Sequence, residues 1–275
     1  MTIHLGRRDF IAGLGGVAIG GAAAWIYATR AHDRARALLS RLLRMQAENI
    51  ADRISEFIDN IESQVGWTLQ LPLTEATLDQ NRFDDMRLLR QSAAIVEVIR
   101  IDSTGRERLR LSRVQVSPIP KNDQDYSQDP KFTQAMINKR YFGPVYFYRE
   151  SQPHMTLSLA GPRGEVGVSL VEVNLKPIWD LINNTKVGSA GKAYLVDANG
   201  RLIAHPDISL VLRNTYVTQL AQVRTAVTAG GGEAAAQEGK DLNGRNVLMS
   251  YAPVARLGWL VFVEVPVKEA DAPAQ

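Results

Sequence analysis

A strand, a tight turn and a returning strand are written into Gly191 to Pro206, and the same figure occurs earlier in the chain. Ala193 to Val196 is apolar and β-prone, Asp197-Ala198-Asn199-Gly200 supplies turn chemistry, and Leu202 to Ala204 runs back. Val98-Ile99-Arg100-Ile101 leads likewise into Asp102-Ser103-Thr104-Gly105-Arg106 and a second β-prone run. Asp197 lies 95 positions after Asp102, and Gly200 lies 95 after Gly105. Further on, Leu157-Ser158-Leu159-Ala160 aligns with Met249-Ser250-Tyr251-Ala252, and Leu170-Val171-Glu172-Val173 with Phe262-Val263-Glu264-Val265, both at 92 positions. Strand–turn–strand patterns are common, but matches in the same order read as duplication. The expectation is two similar α+β units of roughly 90 residues in tandem, each a hairpin, a middle segment and two closing strands.

At 275 residues, 45% apolar and 22% charged, the chain is long enough for two modest cores. The net charge is only +3, and no basic stripe is interleaved with stacking aromatics, so nucleic acid is not an expected partner. Cysteine is absent, which excludes disulfides, thiolate metal sites and Cys nucleophiles. Four scattered His without a His-x-x-x-His spacing provide no metal-ligand set, and no cofactor motif is present.

Phe10 to Thr29 holds no charge and follows Arg7-Arg8. It reads as an export signal or a membrane anchor. A Gly/Ala-rich stretch behind Gly6-Arg7-Arg8-Asp9-Phe10-Ile11 resembles a twin-arginine signal, with Ala22-Ala23-Ala24 as a cleavage site if it is removed. Five arginines from Arg30 to Arg44 run against the positive-inside rule for simple export. From Arg30 to Leu71, Leu39, Leu43, Ile50, Ile54, Phe57, Ile61 and Val65 recur at helical spacing, which predicts a long amphipathic stalk helix suited to a parallel homodimer or to packing on the first unit.

Beyond Pro72, a short helix is expected over Phe83 to Ser92, then strands at Ile95 to Ile101 and Glu107 to Val114 and a loop holding Pro118, Pro120, Asn122 and Asp123. Asp129-Pro130 reads as an N-cap with proline in the first turn of a helix ending near Asn138. Strands follow at Pro144 to Arg149, Met155 to Ala160 and Val166 to Asn174, and a helix at Pro177 to Asn184. In the second unit Tyr216 to Ala229 reads as helix, Gly230-Gly231-Gly232 as its break, and Val247 to Pro253 and Trp259 to Val265 as strands.

The glycine run lacks the Lys-Ser/Thr of a phosphate loop and follows a helix rather than preceding one. His205-Pro206 has no nucleophile or acid placed beside it and reads as a strand-end turn, while Glu172 and Glu264 fall in separate units and make no catalytic pair. Catalysis is therefore not expected. The candidate ligand contacts are Tyr126, Lys131, Phe132, Tyr141, Tyr146, Tyr148, His154 and Glu172, since aromatic walls with a few polar groups are what small-ligand pockets are made of. The alternative, for about half of them, is a core or edge aromatic of a small sheet.

An N-terminal anchor, a long helix and two tandem PAS-like units carrying Tyr141-Phe142-Gly143-Pro144-Val145-Tyr146-Phe147 and the Gly191 to Pro206 hairpin resemble the double Cache sensor domains of bacterial receptors. The resemblance covers about Arg30 to Val267. It implies a signal or anchor at 1–29, a stalk helix at 30–71, a membrane-distal ligand-binding module at 72–185, a membrane-proximal module at 186–267 and a tail at 268–275. It further implies extracytoplasmic sensing of a small molecule, from the inner membrane or as a soluble periplasmic protein, relayed to a kinase, cyclase or chemotaxis output. No output domain follows Val267, so the sequence is either a fragment or a sensor acting through a separate partner. Amino-acid-sensing members read Arg-Pro-Trp-Tyr where this chain has Asp129-Pro130-Lys131-Phe132, so their carboxylate-holding Arg and Trp are missing. Tyr146 matches the family's pocket tyrosine, Tyr148 stands where an Asp is usual, and Glu172 replaces the Asp that holds the amine. That weakens the reading as an amino-acid sensor and leaves a cation, an amine or a neutral polar ligand open. The rival readings are a periplasmic hydrolase and a non-catalytic scaffold.

Overall fold

The computed structural model describes residues 9–113, 124–148, 152–231 and 237–270, with side chains from residue 34 onward except those of Tyr148 and Ala270. The expected loop at 114–123, the residues before Asp9 and those after Ala270 lie outside this set, as do Gly232 and the side chains of the apolar Phe10 to Thr29 segment. Among the described residues no helix is long and apolar enough to cross a membrane.

Helix α1 runs Asp9–Thr68, starting earlier than the apolar periodicity shows. Its stripe of Leu43, Ala47, Ile50, Ala51, Ile54, Ile58, Ile61 and Val65 is buried at steps of three, four and one, which keeps one face inward. Helix α2 (Leu78–Gln91) precedes strands β1 (Ile95–Ile101) and β2 (Glu107–Ser112). Helix α3 (Pro130–Asn138) begins where the sequence places it, with the Asp129 side chain accepting the Lys131 N–H. Then come β3 (Arg140–Phe142), β4 (Tyr146–Tyr148), β5 (Gln152–Ala160), β6 (Val168–Asn174) and α4 (Lys176–Asn184). The second half holds β7 (Lys192–Val196), β8 (Leu202–Ala204), α5 (Ile208–Leu212), α6 (Ala221–Thr228), β9 (Gln237–Lys240), β10 (Asn246–Val254), β11 (Trp259–Pro266) and α7 (Val267–Ala270).

Two antiparallel sheets result, ordered β2-β1-β6-β5-β3, with β4 also on β5, and β8-β7-β11-β10-β9. Each opens with a hairpin whose first strand pairs with the unit's last strand, so the order repeats as duplication predicts. The equivalence of β1 with β7 holds at 95 positions: Glu97 lies opposite Glu172, and Lys192 opposite Glu264. That of β5 with β10 does not hold at 92. Glu172 faces Thr156 and Glu264 faces Met249, a spacing of 93, so Ser158 and Ser250 point to opposite faces. Two similar apolar tetrapeptides cannot fix a register in which one residue of slip turns every side chain over.

Three further expectations are corrected. Tyr216 is not helical but bridges Arg201, and Val217 N–H bonds the Gly200 carbonyl, which holds the segment extended until α6 starts at Ala221. Strands β3 and β9 were not expected: β3 is only three residues long, and β9, Gln-Glu-Gly-Lys, has no apolar alternation to reveal it. The short helix α5 was also missed, although Asp207 caps it by accepting the Ser209 N–H.

Helix α1 packs against the back of the second sheet along β10 and β11, then reaches α2 and β5 of the first. One apolar core accordingly runs through Leu43, Ile54, Val65, Val98, Val171, Trp179, Leu195 and Val263. A smaller cluster on the opposite, front face of the first sheet joins Ile99, Ile101, Val168 and Leu170 to Tyr126, Phe132 and Ala135 under α3.

Candidate functional site

Side chains alternate along a strand, so the register decides what shares the front face of the first sheet. From β1 come Glu97, Ile99 and Ile101, from β6 Glu172 and Leu170, and from β5 His154, Thr156 and Ser158. The upper part of this face is apolar and roofed by α3. The lower part is polar, and it is here that the sequence-selected residues meet.

Glu172 is at its centre. Tyr146 donates its hydroxyl to Glu172 Oε2 at 2.6 Å, and Thr156 donates to Oε1 at 2.7 Å. Tyr146 reaches the carboxylate because β4 pairs with β5 at His154, one front-facing step from Thr156. The Tyr146 and His154 rings lie 6.0 Å apart. His154 is buried, and its Nδ1 lies 3.0 Å from the Gln152 carbonyl; a carbonyl only accepts, so Nδ1 carries the proton.

A second acidic group adjoins the first. Arg110 forks onto Glu107 at 2.9 and 2.7 Å, reaches Glu97 at 3.3 Å and donates to the Tyr126 hydroxyl at 2.9 Å. Burial pushes the Glu97 carboxyl up, opposed by Arg110, and burial likewise raises the Tyr126 phenol. Among the described residues three carboxylates, Glu97, Glu107 and Glu172, thus share this face with one guanidinium, Arg110, which is already engaged by two of them. Glu172 has hydroxyl partners and, among the described residues, no ion-pair partner.

The structure therefore brings Tyr126, Phe132, Tyr146, His154 and Glu172 onto one sheet face, and Tyr141 packs beside the front cluster. Phe132 and Tyr126 are buried, so they wall the site rather than stand open in it. Lys131 sits half-buried at the start of α3, and the Tyr148 side chain lies outside the described residues. Sequence reasoning missed Thr156, Glu97, Glu107 and Arg110. The signal for Glu97 was a lone acid inside an apolar strand, Ile95-Val96-Glu97-Val98.

The front of the second sheet is built differently. Tyr194 stacks on Phe262 at 5.1 Å, Tyr251 lies 5.4 Å from Phe262, and Lys192 pairs with Glu264 at 3.3 Å. Tyr194, Phe262, Lys192 and His205 thus join Tyr251 and Glu264 on this face. Its acid is neutralised by its own strand neighbour, and its centre is filled with rings. The Tyr194 hydroxyl, His205 Nε2 and Glu264 Oε2 are buried with no geometric hydrogen-bond partner among the described residues. Among the described residues no group of three or more His, Asp or Glu side chains is disposed to hold a metal ion.

Comparison with known proteins matches residues 28–274 to the family model described as Cache domain. The methyl-accepting chemotaxis protein McpA of Pseudomonas putida is 31% identical over 93 residues, 34% of this chain and 13% of that protein. The chain therefore spans a small part of that curated relative. The sensory domain of the Campylobacter jejuni chemoreceptor Tlp3 superposes with a TM-score of 0.63 at 16% identity, over 90% of this chain and 98% of that one. The ligand-binding domain of the Pseudomonas aeruginosa amino acid chemoreceptor PctC, solved with GABA, superposes at 0.58 with 20% identity, over 84% and 99%.

Proposed function

This chain belongs to the Cache domain family, and from that premise we propose that it is an extracytoplasmic sensor domain of a bacterial signal-transduction system, binding a small molecule on the front of the first sheet. The observation that carries the reading is the Glu172 carboxylate, oriented by Tyr146 and Thr156 and lacking a counter-ion among the described residues. An oriented carboxylate on a face with surplus negative charge favours a ligand bearing a cation, such as an amine. Solved relatives are complexes with L-valine, isoleucine and GABA, each of which carries an ammonium group. In those ligands the ammonium travels with a carboxylate; here the Arg110 guanidinium is taken up by Glu107 and Glu97.

The two sheets, with the segments around them at 72–185 and 186–267, are on this reading tandem PAS-like modules, of which the first binds the ligand through Tyr126, Lys131, Phe132, Tyr146, Tyr148, His154 and Glu172. The second passes the signal on, and neither catalyses a reaction. The N-terminal segment places the sensor in the periplasm, by anchoring it to the inner membrane or by twin-arginine export. Replacing Arg7 and Arg8 together with Lys then stops export of a reporter fusion. Exposed Leu38, Leu42 and Met45 on α1 support a homodimer through that helix. The output, a kinase, cyclase or chemotaxis protein, is a separate partner or a continuation of the chain.

A thermal-shift titration of the whole chain with alkylammonium ions, matched carboxylates and matched alcohols tests the site, because a ligand that binds only the folded state raises its stability. Glu172→Gln weakens the binding of a responding ligand by about one to two orders of magnitude, and Glu264→Gln leaves it unchanged. Equal affinity in both variants, or a loss confined to Glu264→Gln, would reject the assignment.

A further inference from the structure

Three turns in this protein share the sequence Asp-x-x-Gly-Arg: Asp102 to Arg106, Asp197 to Arg201, and Asp241 to Arg245. In each the aspartate Oδ1 accepts the N–H two and four residues on, so the turns are built alike. Their arginines are spent differently. Arg245 folds back on Asp241 Oδ2, with its Nε at 2.9 Å. Arg201 holds Asp197 Oδ2 at 3.2 Å and Asn214 Oδ1 at 3.1 Å, which leaves Nη2 to cross to the first sheet and donate to the Val145 carbonyl at 2.8 Å.

Val145 immediately precedes β4, and that strand is only three residues long, off the main path of its sheet and paired with β5. So short a ladder holds a strand weakly, and supports from outside the sheet decide its position. Two of them are seen among the described residues, one on each side of Tyr146. Before it, the Val145 carbonyl accepts from Arg201. After it, the Phe147 ring lies 5.7 Å from Trp179, whose indole Nε1 donates to the Ile203 carbonyl of β8 at 2.7 Å. Both supports end on the same hairpin of the second sheet. Alternation along β4 sends Tyr146 to the front, onto Glu172, while Phe147 faces back towards Trp179.

We propose that Arg201 is a positioning residue of the first sheet's site: from the second sheet it fixes the Val145 carbonyl and so sets the Tyr146 hydroxyl against Glu172. This rests on reading that face as the sensing site. Because coupling free energy is reciprocal, whatever moves Tyr146 is felt at Arg201 and β8, and the β7–β8 hairpin is the route by which occupancy reaches the second sheet.

Amide exchange of the whole chain, read by mass spectrometry without any ligand, tests the coupling. Arg201→Met keeps the stem and removes the donors; it raises exchange across Tyr146 to Tyr148 about tenfold, a change of roughly 1.4 kcal/mol in local opening. Arg245→Met, the same loss in a turn that does not touch β4, leaves those amides unchanged. In the other direction, Tyr146→Phe raises exchange at Ile203 and Ala204 severalfold, and the double variant Arg201→Met/Tyr146→Phe shows less than the product of the single effects. The Tyr146→Phe arm stands even if Arg201→Met does not fold. An Arg201→Met effect confined to its own turn, an equal β4 response to Arg245→Met, or a β8 indifferent to Tyr146→Phe overturns the proposal. No ligand enters this experiment, so its failure removes the coupling alone, while the Glu172→Gln titration decides the site.

Discussion

Lys192 Nζ lies 3.3 Å from Glu264 Oε1 on the adjacent strand, at the position where the first sheet sets a second acid, Glu97, opposite Glu172. The same strand position thus holds a cation in one unit and an acid in the other. Burial pushes the Glu264 carboxyl up, opposed by Lys192. Lys192→Met leaves that carboxylate buried alone and destabilises the protein by about 2–3 kcal/mol at neutral pH, below the range for a fully buried pair because Lys192 keeps some solvent contact. The folded variant takes up a proton on Glu264 before the unfolded chain does, so the deficit shrinks as the pH falls towards the ordinary carboxylate range. Urea unfolding at pH 8 and pH 5 measures this, and an equal deficit at both would show that Glu264 is not the group responsible.

His205 follows β8 with only 7% of its surface exposed, and its Nδ1 accepts the Asp207 N–H at 2.8 Å, which fixes the neutral tautomer with the proton on Nε2. Burial, then the Lys192 charge, lowers its pKa to about 4. The unfolded chain protonates this ring near its ordinary pKa of about 6.5, ahead of the folded protein. Stability is therefore fully present above about 6.5 and is lost as the pH falls towards 4, by on the order of 2–3 kcal/mol. His205→Gln flattens this part of the stability curve; a variant whose unfolding midpoint tracks the wild type between pH 7 and pH 5 would exclude the assignment.

Arg100 and Asp85 form an ion pair with side-chain exposures of 1% and 0%, and Arg100 Nη2 also donates to the Thr68 carbonyl at the end of α1. Burial raises the Asp85 carboxyl and Arg100 opposes the rise. Asp85→Leu strands a guanidinium in the core and costs about 3–5 kcal/mol, whereas combining it with Arg100→Met recovers most of that loss. Denaturant midpoints of the two single variants and the pair form the cycle. Additive losses would mean that the two residues act independently.

Gly105 and Gly244 occupy the same place in two of the Asp-x-x-Gly-Arg turns, at φ of +88° and +77°. A Cβ on Gly105 would come 2.5 Å from the Ser127 Cα, whereas one on Gly244 meets nothing within 4 Å. Gly244→Ala carries only the left-handed backbone penalty, about 1 kcal/mol, while Gly105→Ala adds a backbone clash and exceeds about 2 kcal/mol. Thermal midpoints of the two variants separate the contributions, and equal losses would contradict the packing of Gly105 on Ser127.

Elements with a strong local signal were legible in the sequence. The α1 stripe, the Asp129-Pro130 start of α3 and the paired hairpins each rest on residues whose chemistry acts within a few positions. What failed was set at longer range. The register of β5 and β10 depends on which face must be buried, and β9 exists because β10 has an edge to pair. The site divided in the same way. Glu172 and Tyr146 stood out as an acid and a tyrosine in β-prone stretches, but Thr156 enters only through the register of β5 on β6, and Arg110 only because β1 lies between β2 and β6.

Helix α1 gives its buried stripe to a core that also contains Val171 and Trp179 from the first half and Leu195 and Val263 from the second. Both sheets thus share one apolar back core. Heat or denaturant accordingly takes both halves apart in one cooperative transition, and a chain begun at Lys192 would expose the apolar back of β10 and β11 and aggregate instead of folding. The two sheets are alike in strand order and joined in one thermodynamic unit.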